Sequence, residues 1–150
     1  MTDKAKQIHL LSGKSMYFEP GGIYHIYNQG NNRQPIFFNR GNYLYFIRKM
    51  RHHILPYADI LAYCLMPNHF HLMVEAGDPS ERGSDSRSAT FSRTPTNDAE
   101  DHATAKSSQL LNHSIGIMLA SYTRAINLQN NTTGSLFRQK TKAICLNLIL

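Results

Sequence analysis

Apolar and polar positions along the chain follow two different periods. Ile23-Tyr24-His25-Ile26-Tyr27 is rich in β-branched and aromatic residues, which predicts a strand. Pro20-Gly21-Gly22 precedes it, and the polar run Asn28-Gln29-Gly30-Asn31-Asn32-Arg33 follows as a loop. From Asn42 the spacing lengthens. Leu44, Ile47, Met50, Ile54 and Leu55 recur mostly every three or four residues, which predicts an amphipathic helix closed before Pro56. Ala58 to Leu65 is a mostly apolar second strand, Met66-Pro67-Asn68 a turn, and His69 to Glu75 a third strand paired with the second in a hairpin. Further on, Leu111, Ile115, Met118, Tyr122 and Ile126 fall on one helical stripe. Ser107 or Ser108 is its expected cap and Asn130 to Gly134 its expected end. Leu136 to Leu150 reads as extended.

Strand, helix, strand, strand, helix, strand predicts an α+β sandwich of the ferredoxin-like type, an antiparallel sheet with helices packed on it. One domain over residues 1–150 is expected. Residues 1–20 look like a loose leader, and residues 77–108, rich in Ser, Thr, Asp and Arg, like a long flexible insertion.

Composition changes this picture in two respects. A chain that is 41% apolar can build a core, and its two cysteines, Cys64 and Cys145, make no CxxC pair, which argues against a disulfide framework or a Cys-rich zinc site. There is no run of eighteen apolar residues and no signal-peptide core, so the expected partners exclude a membrane and the expected compartment is the cytoplasm.

Charge is more informative once it is divided. Residues 77–108 hold six acids and four bases, whereas the rest of the chain carries twelve bases against only four acids (Asp3, Glu19, Asp59 and Glu75). Such a balance points to a polyanion, nucleic acid first. It also argues against a two-metal nuclease, which clamps its ions with clustered carboxylates. Arg33, Arg40, Arg124, Arg138, Lys140 and Lys142 are the foremost candidate DNA-binding residues, with Arg48, Lys49 and Arg51 beside them. Tyr24, Tyr27, Phe37, Phe38, Tyr43 and Tyr45 are candidate base-stacking rings, most of them expected in the core.

Candidate chemistry centres on His69 and His71. On an extended strand, residues two apart share a face, so these imidazoles stand side by side with Phe70 turned away. Two imidazoles form half of a divalent-metal site that needs further ligands. Tyr122 lies on the stripe of a helix that faces the sheet, where a phenol activated by a cation could attack a phosphate.

These residues resemble a family. Leu65-Met66-Pro67-Asn68-His69-Phe70-His71-Leu72 is similar to the HUH motif (His, bulky apolar, His) of single-tyrosine transposases, notably the REP-associated tyrosine transposases and related insertion-sequence enzymes. Gly22 to Asn32 resembles the family's first strand and loop, and Ser121-Tyr122-Thr123-Arg124-Ala125-Ile126-Asn127 resembles its tyrosine helix. Gly134-Ser135-Leu136-Phe137-Arg138-Gln139 resembles the Gly-x-Leu-Phe-x-Gln segment that follows.

The resemblance implies an HUH endonuclease-like fold and an enzyme of DNA transposition and recombination. Such an enzyme cleaves and rejoins single-stranded or hairpin DNA. Tyr122 would be the nucleophile, forming a 5′-phosphotyrosine, and Mg²⁺ or Mn²⁺ would be held by His69 and His71. Asn127, or else Gln129, would be the third ligand, because Ile126 stands where relatives often carry a polar one. The resemblance further implies a nucleoid location when DNA is bound, and it allows a homodimer, with the tyrosine helix either kept within a subunit or exchanged between subunits. Relatives commonly continue with helical sequence beyond the point matching Leu150, so either a shortened family member or a fragment is expected. That shortening and Ile126 suggest an alternative: a catalytically reduced protein that grips structured DNA without cutting it.

Overall fold

The computed structural model describes residues 16–77 and 99–147, with side chains described over 16–77 and 108–147. The elements run β1 (Ile23–Gln29), a 3-10 turn (Asn31–Arg33), α1 (Arg40–His53), β2 (Ala58–Met66), β3 (His69–Ala76), α2 (Ala99–Asn130) and β4 (Lys142–Cys145). The strands form one antiparallel sheet in the order β2-β3-β1-β4, the ferredoxin-like arrangement expected from the pattern. Among the described residues, no helix is long and apolar enough to cross a membrane.

Strand alternation decides what the sheet covers and what it leaves open. On β1, Tyr24, Ile26 and Asn28 are buried while His25 and Tyr27 on the other face are only partly so; on β3, Phe70, Leu72, Val74 and Ala76 are buried and His69, His71, Met73 and Glu75 are not. Both helices pack on the first face. Leu111, Ile115, Met118, Tyr122 and Ile126, the stripe read from spacing, are all buried there, each side chain contributing about 1.5–3 kcal/mol by leaving water. Among the described residues, no helix packs on the second face.

Three local expectations need correction. The buried row of α1 is Asn42, Phe46 and Met50, continued by Ile54, while Leu44 is exposed. Tyr43-Leu44-Tyr45-Phe46-Ile47 is apolar throughout, so spacing alone could not choose the inward side. α2 begins at Ala99, not after Ser108, so helix runs through the last part of the expected insertion. Ser108 is buried within that helix, and its Oγ accepts a 2.6 Å hydrogen bond from the Phe18 backbone N–H. Phe18 is itself in the core, so the expected leader stops short of residue 18. The other parts of that leader and insertion, residues 1–15 and 78–98, lie outside the described residues.

Candidate nucleic-acid interface

The open face carries the expected histidine pair. His69 and His71 flank buried Phe70 on β3, with ring centroids 5.1 Å apart and nearly perpendicular. The strand enters the site from a firmly held turn. Pro67 O accepts from the backbone N–H groups of Ile36 and Phe37, and Asn68 O accepts from that of Gly30. His69 Nδ1–H donates to Asn68 Oδ1 at 2.7 Å, and a hydrogen bond of 2.8 Å joins His71 Nδ1 to His25 Nε2. Burial, with His25 and His69 nearby, holds the His71 imidazole below its usual range, which favours the neutral ring that a metal needs.

Register brings further rings to this pair. Tyr27 lies opposite His71 on one side and Lys142 on the other. His25, Tyr27 and His71 form a row of near-parallel rings, with centroids 4.9 to 5.8 Å apart and planes within 24° of one another. Lys142 Nζ sits 5.9 Å from the centre of the Tyr27 ring, a cation–π contact. A cavity of about 220 Å³ is lined by Tyr27, Asn28, Gln29, His69, His71, Arg138, Lys140 and Lys142. Three of the expected DNA-binding cations therefore share one concavity with both histidines.

The basic segment is held in place by the core. Buried Asn28 donates through Nδ2 to Arg138 O and to Thr141 Oγ1, while the Arg138 backbone N–H donates to Gln29 O. Gly30 bridges Phe137, and the backbone N–H of Asn31 donates to Leu136 O. Asn28 thus converts an otherwise loose Arg138–Lys142 run into the wall of the site.

The structure does not bring Tyr122 to the histidines. Its side chain is fully buried on the helix-covered face, among Phe37, Phe46 and Phe137, and its hydroxyl donates to Ile36 O at 2.7 Å. Burial, with Tyr43 adding to it, pushes the phenol well above its usual range. The sheet stands between this hydroxyl and the open face, so Tyr122 is not placed to attack a phosphate held there. The cause is alternation: the helix stripe seats on the Phe70 side, and the histidines necessarily point the other way.

Asn127 is not with the histidines either. Its Nδ2 donates to Gly134 O and its Oδ1 accepts from Thr132 Oγ1, so it ties down the loop after α2. Gln129 Oε1 accepts from Asn42 Nδ2, which links α2 to α1. Neither completes a ligand set, and among the described residues no group of three or more His, Cys, Asp or Glu side chains is placed to hold a metal.

The other expected DNA contacts divide. Arg33 lies on the exposed turn beside Asn68, whose Nδ2 reaches Arg33 O at 3.4 Å. Arg40 is exposed in the first turn of α1, and Arg124 borders an outer groove of the helix layer with Tyr45, Ile117 and Leu128. Those two belong to the helix layer rather than to the histidine cavity. Of the candidate stacking rings, Tyr24 and Phe37 are in the core and Tyr27 alone lines the cavity. His25 is the site residue that the sequence reading missed. Its signal was its place two residues before Tyr27, on the face opposite Tyr24 and Ile26.

No family model matches the chain, and no curated protein matches it. Among solved structures it is similar to a REP-associated tyrosine transposase bound to a REP hairpin, with 13% identity and a TM-score of 0.45. The match covers 91% of this chain, which spans 62% of that one.

The histidine pair offers a divalent ion two donor atoms. Both Nδ1 atoms are engaged, and neither Nε2 has a protein hydrogen-bond partner among the described residues. Two free imidazole nitrogens fit half of a coordination sphere. They suit Mn²⁺ better than Mg²⁺, which prefers oxygen ligands.

Proposed function

We propose that this protein binds single-stranded or hairpin DNA across the open face of its sheet, with phosphates on Arg138, Lys140 and Lys142 and bases against the His25–Tyr27–His71 rings. The observation that carries this reading is the shared cavity, in which three cations, a tyrosine and two histidines meet on a face that no helix among the described residues covers. An exposed antiparallel sheet with rings on its strands and cations at its edge is a recurrent way to hold unpaired bases, each stacked base contributing about 1–3 kcal/mol. Burial of Tyr122 and engagement of Asn127 favour a binding role over strand transfer through Tyr122.

A second reading keeps the metal. His69 and His71 would hold Mn²⁺ or Mg²⁺, with the remaining positions filled by water and a DNA phosphate. A bound ion would supply charge stabilisation at the scissile phosphate. The chain's own part would be to clamp the flanking phosphates with Arg138, Lys140 and Lys142 and to bind the ion through the two histidines. The phenol that shares this cavity is Tyr27. Here the protein is a transposase-type strand-processing enzyme that uses a tyrosine other than Tyr122.

Incubation with a labelled hairpin oligonucleotide, with Mn²⁺ and then with a chelator, separates these readings. Binding that falls with salt and ignores chelation is expected for the first. A covalent adduct seen by mass spectrometry, dependent on Mn²⁺ and lost in Tyr27→Phe, would establish the second. Absence of binding at low salt would remove both.

A further inference from the structure

We propose that Asn68 and His25 are positioning residues that keep the proton of His69 and of His71 on Nδ1, leaving both Nε2 lone pairs for one divalent cation. This rests on reading the pair as metal ligands. The proton positions, however, can be measured without metal.

For His69 the geometry decides the direction. Asn68 Nδ2 reaches the carbonyl oxygen of Arg33, which only accepts, so the amide oxygen of Asn68 is the atom turned to His69. An amide oxygen also only accepts. The proton in the 2.7 Å contact therefore belongs to His69 Nδ1, and Nε2 is bare. Asn68 cannot easily turn away, because its carbonyl is held by Gly30 and the preceding one by Ile36 and Phe37.

For His71 the partner is another imidazole. Its Nδ1 lies 2.8 Å from His25 Nε2, so one ring donates and the other accepts. If His25 donated, the neutral His71 ring would carry its proton on Nε2 and could not bind an ion through that atom. If His71 donates, it repeats the state of His69, and the strand offers two like ligands. Metal-binding histidines generally donate their second N–H to a fixed acceptor in this way, and loss of that acceptor costs about 10–100-fold in metal affinity. His25 is itself held in the ring row by Tyr27, 4.9 Å away, so its Nε2 stays in place as the partner of His71 Nδ1. Imidazole in water favours the opposite tautomer, with the proton on Nε2, so Nδ1–H states of His69, of His71 and of the accepting His25 would all be set by these neighbours.

The test uses the metal-free protein with ¹⁵N-labelled histidine. Long-range ¹H–¹⁵N correlation spectra at mildly alkaline pH should show His69 and His71 both as Nδ1–H tautomers. Asn68→Ala and His25→Phe, which remove the acceptors while the second keeps a ring in the row, should return the neighbouring histidine to Nε2–H. They should also weaken Mn²⁺ binding by about 10–100-fold, read by electron paramagnetic resonance of free Mn²⁺. Asn68→Asp and His25→Gln keep an acceptor and should preserve both properties. An Nε2–H signal from either wild-type ring overturns the proposal and leaves DNA binding untouched. Two Nδ1–H rings that take up no Mn²⁺ overturn the metal reading and the positioning role together. Wild-type affinity in Asn68→Ala and His25→Phe, with a folded spectrum, overturns the positioning role alone.

Discussion

The hydroxyl of Tyr122 donates to the carbonyl oxygen of Ile36 at 2.7 Å, and the backbone N–H groups of Ile36 and Phe37 are clamped to the turn before His69. This hydrogen bond satisfies two buried polar groups at once and assigns Tyr122 a structural task. Tyr122→Phe keeps the ring but leaves the Ile36 carbonyl without its partner. The expected cost is about 1–3 kcal/mol of stability, read by urea denaturation. Hairpin-DNA affinity and any covalent adduct should be unchanged at a temperature where the variant is folded. Loss of an adduct in that folded variant would return Tyr122 to the chemistry and require a rearranged α2.

Phe70 is the counterpart of the two histidines, facing into the core between them. It is fully buried and packs its ring 5.2 Å from Phe46 and 5.9 Å from Phe137. Phe70→Ala removes the ring on β3 against which Phe46 of α1 and Phe137 pack. A loss of about 3–5 kcal/mol is expected, enough to unfold a marginal domain. Phe70→Leu should cost much less and bind DNA near wild-type affinity. Equal stability of the wild type and the alanine variant would mean that the core is not where the packing puts it.

The sequence carried more of this than the residue assignments made from it. Alternation over His69, Phe70 and His71 was legible, and so was the α2 stripe, because each uses one unbroken period. The step that failed joined them on one face. Phe70 is apolar and the stripe is apolar, so these two had to meet, and Tyr122 had to lie away from the histidines. Asn127 failed for another reason: a local loop offers a short-range amide several partners, and Gly134 and Thr132 took it. The inward side of α1 and the start of α2 were not legible, since consecutive apolar residues blur the first and Ala-rich sequence from Ala99 extends the second.

Gly30 links three parts of the site. Its backbone N–H donates to Asn68 O, it bridges Phe137, and a Cβ there would collide with the carbonyl oxygen of Gln34. Gly30→Ala must therefore displace main chain, not a flexible side chain, at an expected cost of about 1–3 kcal/mol. Because the same displacement moves Asn68, weaker DNA binding should accompany the loss of stability. Unchanged melting in Gly30→Ala would show that the 30–34 turn gives way freely.

Lys142 and Lys140 distinguish a nucleic-acid face from a merely basic one. Both line the cavity, and Lys142 stands over Tyr27. If each neutralises one phosphate of a single strand, removal of either should lower the slope of log affinity against log salt by about 0.7. Lys140→Ala and Lys142→Ala should each do so, while Arg124→Ala, on the helix layer, should leave the slope unchanged. A slope altered by Arg124→Ala and not by the two lysines would move the DNA to the helix side.

Acid should destabilise the fold through its histidines. His53 ends α1, where burial, with His52 and Lys49 beside it, holds its imidazole below the usual range. His71 is shifted in the same direction, chiefly by burial. A histidine that resists protonation when folded, but accepts it when unfolded, makes the unfolded chain bind more protons. Stability is then complete above the ordinary imidazole pKa of about 6.5 and falls as pH drops from there toward the lowered folded value, below which this loss stops. Melting curves from about pH 8 to about pH 5 should show a falling Tm. His53→Gln, which cannot be protonated there and leaves the carbonyl that accepts from Ser114 Oγ, should fall less steeply. An equally steep fall in that variant would assign the acid sensitivity to His71 and the open face.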